Sequence, residues 1–188
     1  MTSGDLVYSN DTCSAFLTAI VRSFEENHPR GYLGRTAIQK LAYFSKVMGV
    51  PIPCSFDIYT YGPYSDEVTF SMESLMADDV VVDRSPKPEY SNYGLGENAA
   101  ELLRVYGGAI GQYAPAIDRV VKALGGFKPQ ELEVIATLHF IAGCQHQVLR
   151  RAPSKPEVIR EFETIKGEKF TREEIVVWYD ALRKAGVI

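Results

Sequence analysis

Residues 129–143, PQELEVIATLHFIAG, read as a helix that is apolar nearly all round. A helix with one apolar stripe can lie on a surface, but one without a polar face has to be wrapped by other elements. With 188 residues, the chain has material for one large domain or two small ones, and for a sizeable core. Hydrophobic residues at 46% and charged residues at 23% are the proportions of a folded soluble protein. No apolar run reaches the length that crosses a bilayer. The opening MTSGDLVYSND lacks a basic start followed by an apolar core, so it does not read as a secretion signal and a cytoplasmic location is expected.

Other elements follow from periodicity and punctuation. Residues 11–27 form a helix capped by Asp11 or Asn10, with Phe16, Leu17, Ile20, Val21 and Phe24 at helical spacing. NHPRGYLG breaks it. Residues 35–49 form a second helix, ended by Gly49 and followed by Pro51 and Pro53. FDIYTY has the aromatic and β-branched content of a strand. A third helix follows Pro63 and Ser65. VVVD and YSNYGL are two strands joined by RSPKPE, and GENAAELLRVYGG is a helix. Residues 113–125 carry Ile117, Val120, Val121 and Leu124 on a further helix. Two capping boxes then mark helix starts, Ser154 with Glu157 and Thr171 with Glu174.

This order predicts a mainly α (α+β) protein: a winged-helix-like first half, residues 1–109, with a small antiparallel sheet, packed on a helical second half, residues 110–188. On the second helix, Ala37, Ile38, Leu41, Phe44 and Met48 fall on one side and Arg35, Thr36, Gln39, Tyr43 and Lys46 on the other. The second set offers cations, an amide and a phenol to a phosphate or a carboxylate-rich partner. In YGPYS, Gly62 and Pro63 suit a turn, Ser65 caps the next helix, and Asp66 and Glu67 sit at the positive end of its dipole. Tyr59, Tyr61 and Tyr64 present apolar rings with polar tips to a groove.

The third helix occupies the recognition position of a winged helix but has no lysine or arginine. Its inner stripe is Val68, Met72, Leu75 and Met76, and its outer face carries Asp66, Glu67, Phe70, Glu73 and Ser74. A helix entering a DNA groove has to cover phosphate charge, so this face suits a basic or apolar protein surface, or packing within the chain. The net charge of −4 agrees, because a dedicated nucleic-acid binder carries a basic excess.

The segments GRTAIQKLAYF and YTYGPYSDEV together resemble the YwgA-like proteins, with their GRT-x-LQKL-x-Y signature and downstream YGPYS. The Panacea antitoxin domain, with QKLLYFA and YGP segments, is similar at a greater distance. YSNYGLGENA, ELEVIATLHFIA and EEIVVWYDALRKAGVI extend the likeness over most of the chain. Ala37 stands where those proteins often have lysine, and Ile38 replaces leucine. The resemblance implies a winged-helix-like or related helical scaffold, and an antitoxin, partner-binding or transcription-regulating role rather than a defined reaction.

Signals for catalysis are weak. GLGENA lacks the full dinucleotide pattern and reads as a turn, and no Walker A, GxSxG or HExxH motif occurs. His139, Cys144 and His146 point different ways on one helix, so no metal site is assigned. Cys13, Cys54 and Cys144 are scattered and odd in number, so neither a disulfide framework nor a zinc finger is expected. Arg150, Arg151, Lys155 and Arg160, near Gln145 and Gln147, form a late basic cluster. The expectation is a non-catalytic protein without a cofactor. It would bind a protein partner through Arg35, Thr36, Gln39, Tyr43, Lys46, Tyr61, Tyr64, Asp66, Phe70 and Glu73. The alternative is a transcription regulator that meets DNA through Arg35, Lys40, Lys46, Arg84 and Lys87. A homodimer is compatible with either, and a metal-dependent enzyme is a remote third.

Overall fold

The computed structural model describes residues 12–188. The elements in order are α1 (Thr12–Asn27), α2 (Arg35–Val47), β1 (Asp57–Tyr59), β2 (Gly62–Tyr64), α3 (Asp66–Ala77), β3 (Val81–Asp83), β4 (Tyr93–Leu95), α4 (Ala99–Val105), α5 (Gly107–Leu124), α6 (Pro129–Leu149), α7 (Lys155–Lys166) and α8 (Arg172–Lys184). A 3-10 turn, Gly167–Lys169, joins the last two. The protein is mainly α, with two separate two-stranded antiparallel sheets. The cap assigned to Asn10 or Asp11 lies outside the described residues. Among those residues, no helix is long and apolar enough to cross a membrane.

The chain forms two compact units. One comprises the described residues up to Ser55 together with Ser65–Gly126; the other comprises Phe56–Tyr64 and Phe127–Ile188. In the first, α1 is the centre. Its expected stripe is buried, but so are Ser14, Ala15, Thr18, Ala19 and Ser23. Small side chains let α2, α3, α4, α5 and β4 all touch it. Two of its hydroxyls are paired within the unit: Thr18 Oγ1 donates to Ser14 O at 2.8 Å, and Ser23 Oγ to Asp118 Oδ1 at 2.5 Å.

The segment expected to hold one strand and a turn holds a hairpin instead. Asp57 pairs with Tyr64, Ile58 with Pro63 and Tyr59 with Gly62. Gly62 takes φ +87°, a left-handed position after the Thr60–Tyr61 turn that glycine adopts without a Cβ clash. Pro63 is tolerated because both strands of a two-stranded sheet are edges. YGPY therefore completes a strand, and α3 begins only after Ser65. The second hairpin pairs Val81 with Leu95, Val82 with Gly94 and Asp83 with Tyr93.

In the second unit α6 touches α7, α8 and β2. Leu132 through Leu138, with Ile141 and Ala142, are buried, as an all-round apolar helix requires. One member of that run is a carboxylate. Glu133, 1% exposed, receives Lys166 Nζ at 2.9 Å and Lys169 Nζ at 2.8 Å. Lys166 Nζ also donates to Thr60 O at 2.7 Å and Tyr59 O at 3.4 Å. Lys169 lies 4.5 Å from the Tyr61 ring centre. The buried cluster thus holds the hairpin turn by its backbone carbonyls. Burial pushes the Lys166 ammonium below its ordinary pKa, and the Glu133 carboxylate opposes that drop.

Both expected capping boxes form. Glu157 accepts the backbone N–H of Ser154 at 2.7 Å, and Glu174 that of Thr171 at 2.8 Å, while Thr171 Oγ1 accepts Glu174 N–H at 3.3 Å. At the start of α6 only the glutamate half of such a box forms, the Lys128 N–H donating to Glu131 Oε2 at 2.7 Å. Glu133→Gln keeps the side-chain shape but leaves Lys166 inside without its counter-charge, and is expected to cost about 3–5 kcal/mol. The measurement is a urea titration followed by Trp178, the only tryptophan and a member of the second unit; an unchanged midpoint contradicts the assigned role.

Candidate functional site

The strongest surface feature of the first unit is the outward face of α3. Its start is fixed from α2. Gln39, 5% exposed, donates from Nε2 to Ser65 O at 2.9 Å and accepts Ser65 N–H on Oε1 at 3.0 Å. Nε2 also donates to Thr69 Oγ1 at 3.1 Å. One amide thus satisfies both backbone groups of the residue that caps α3. Ser65 Oγ in turn accepts Val68 N–H at 3.4 Å and donates to Glu67 Oε2 at 2.7 Å.

Val68, Ser71, Met72 and Leu75 anchor the inner face. Asp66, Phe70, Glu73 and Ala77 follow one another at helical spacing along the outer face, with Glu67 and Ser74 beside them, and all are exposed. Phe70 is 64% exposed. The Ser65 hydroxyl bond, helped by backbone N–H groups and the Lys46 charge, holds the Glu67 carboxyl below its usual range. The face is a single aromatic ring among carboxylates, with no cation on the helix.

The remaining expected partner residues do not assemble around it. Gln39 and Tyr43, assigned to an outward polar face of α2, are buried, because α2 packs on α1 and α5 while its amide reaches α3. Thr36 is half-buried. Arg35 stays exposed but is engaged, with Nε donating to Ser91 Oγ at 2.9 Å and Nη2 to Pro88 O at 3.5 Å. Lys46 donates to Cys54 O. Tyr61 and Tyr64 belong to the hairpin of the second unit, Tyr64 stacking on Tyr59 with centroids 5.5 Å apart.

The cations proposed for DNA fare similarly. Lys40 is 1% exposed and lies in the interior, withheld from any surface a phosphate would meet. Arg84 pairs with Glu25 at 2.6 Å and donates to Leu95 O at 3.0 Å. Lys87 lies exposed in the loop between β3 and β4. Beside it, burial pushes the Asp83 carboxyl up, but the N–H groups of Asn92 and Ser85, the Ser91 hydroxyl and the Arg35 charge together hold it below its usual range. In GLGENA, Gly96 serves packing: a Cβ there would collide with Asp79 O.

In the second unit two of the four cations of the late basic cluster are paired with carboxylates. Arg151 binds Glu157 with both terminal nitrogens, and Lys155 meets Asp180 at 2.7 Å. Arg151 and the Ser154 groups hold the Glu157 carboxyl far below the carboxylate range. Burial lowers the pKa of His139. Burial, then the Asp57 charge, raises that of Cys144, and His146 is exposed. No three His, Cys, Asp or Glu side chains converge as metal ligands among the described residues. Sequence reasoning missed two features here, the buried Glu133 and an open apolar groove. The groove, of about 500 Å³, is lined by Ile58, Phe140, Cys144, Gln145, Val148 and Ile165 among others. A lone carboxylate within an apolar helix signals the first; nothing local signals the second.

No protein-family model matches the chain. A stretch of 43 residues, 23% of the chain, is 42% identical to the "Uncharacterized protein YwgA" of Bacillus subtilis (strain 168). The match spans 26% of that protein's length. It supports a YwgA-like relation over that stretch.

Gln39→Ala leaves the buried Ser65 N–H without its partner and its C=O with only the longer bonds from Thr69, and is expected to destabilise the first unit by about 2 kcal/mol. Hydrogen exchange at the Ser65 and Val68 amides checks it, since both should lose protection while α6 amides do not.

Proposed function

We propose that the chain is a non-catalytic binding protein, antitoxin-like or regulatory, which takes a basic and partly apolar protein surface onto the outward face of α3. The observation that carries this reading is Phe70, 64% exposed among Asp66, Glu67 and Glu73. A single exposed apolar side chain is ordinary. What singles this one out is its place at the centre of a rigid face of one sign, where a ring supplies contact area and carboxylates select the partner's charge. The same carboxylates repel phosphate, and the α2 cation nearest the interior, Lys40, is out of reach. These observations favour a protein partner over a duplex.

A synthetic amphipathic helix bearing lysines and leucines is the appropriate probe, read by fluorescence anisotropy. Binding should weaken as salt rises, and Phe70→Ala should weaken it roughly tenfold to thirtyfold. Glu73→Lys should weaken it too. Binding of a duplex that is lost in Lys87→Glu yet unaffected by Phe70→Ala would instead establish the DNA reading.

A further inference from the structure

The first unit contains a thiol pair that its proposed binding face does not use. Cys13, in the first turn of α1, and Cys54, just before the chain leaves this unit, are 41 residues apart in sequence. Their sulfurs nevertheless lie 2.7 Å apart, and the side chains are 2% and 1% exposed. An S–S bond is about 2.05 Å long, so bonding requires the sulfurs to close by well under an ångström. Both sides of the approach are held: Cys13 through Val21 of α1 are all buried, and Lys46 grips the Cys54 carbonyl. Cys144, the third cysteine, lies in the other unit and is exposed.

We propose that Cys13 and Cys54 form a reversible dithiol–disulfide pair, oxidised by a small disulfide. One thiolate attacks a sulfur of the small R–S–S–R molecule, displacing one RS⁻ and leaving a mixed disulfide. The other cysteine's thiolate attacks the protein sulfur of that bond and displaces the second RS⁻. The two cysteines lose two electrons and two protons, and the small disulfide becomes two RSH. Access comes from opening of the first turn of α1, since helix ends open more readily than centres. The bond then ties α1 to the point where the chain departs for residues 56–64. Closing so long a loop restricts the unfolded chain, so the oxidised form is the more heat-stable.

The test uses the full chain carrying Cys144→Ser, which removes the exposed thiol and with it crosslinking between molecules. After equilibration with oxidised glutathione, free thiols are alkylated in denaturant and intact mass is measured. The expected result is a monomer that has lost two hydrogens and takes up no alkylating agent. A linked peptide should join residues 13 and 54, Tm should rise by several degrees, and a dithiol reductant should reverse both. Two alkylated thiols remaining, or glutathione adducts without the crosslink, would overturn the proposal.

Discussion

Backbone N–H and C=O groups outside the regular elements need hydrogen-bond partners, and around residues 54–65 three side chains supply them. Lys46 takes the carbonyl of Cys54, where the chain leaves the first unit. Gln39 takes both the N–H and the C=O of Ser65, where it returns. Between them, Lys166 takes the carbonyls of Tyr59 and Thr60 and carries its charge to Glu133. A nine-residue excursion is thus tied at its departure, its tip and its return. Each tie is a polar side chain that a helical wheel alone would turn towards solvent.

That is also the boundary of what was legible. Helix starts were readable where chemistry is local: Ser65 caps α3 with its hydroxyl alone, and Ser154 with Glu157 and Thr171 with Glu174 form boxes, because groups within one helical turn need no knowledge of the rest of the fold. The apolar stretch of α6 was readable because burial is its only consistent environment. The inward turn of Gln39, Lys40 and Tyr43 was not, since α2 has neighbours on more than one side and amphipathicity assumes a single buried face. The central place of α1 was hidden for the opposite reason. Thr18 and Ser23 count as polar on any scale, yet they are small enough to be covered once their hydroxyls find acceptors. Strand β2 was masked by Gly62 and Pro63, two turn formers that an edge position admits.

The same pairing rule decides which charges remain for a partner. Arg84, Arg151, Lys155, Lys166 and Arg172 each sit within 3 Å of a carboxylate. A cation so placed must give up one partner to gain another, which makes its net contribution to a new interface small. The carboxylates of α3 differ. Asp66 and Glu73 enter no ion pair among the described residues. Glu67 is held ionised by its own helix cap. The surface charge that is uncommitted is therefore negative on this helix, whatever the overall balance of the chain.

Rigidity bears on what that charge can do. A binding face loses affinity when its side chains and backbone have to be ordered on contact. Here the first turn of α3 is already ordered by Gln39 and Ser65, and its inner face is seated by Val68, Met72 and Leu75. Phe70 has only two side-chain torsions to fix, so its burial returns most of its area as favourable free energy. The exposure of that ring works against solubility and gains nothing in the isolated unit. On the proposed reading, its place on a helix start anchored by Gln39 and Ser65, with carboxylates on either side, would recover that cost on docking.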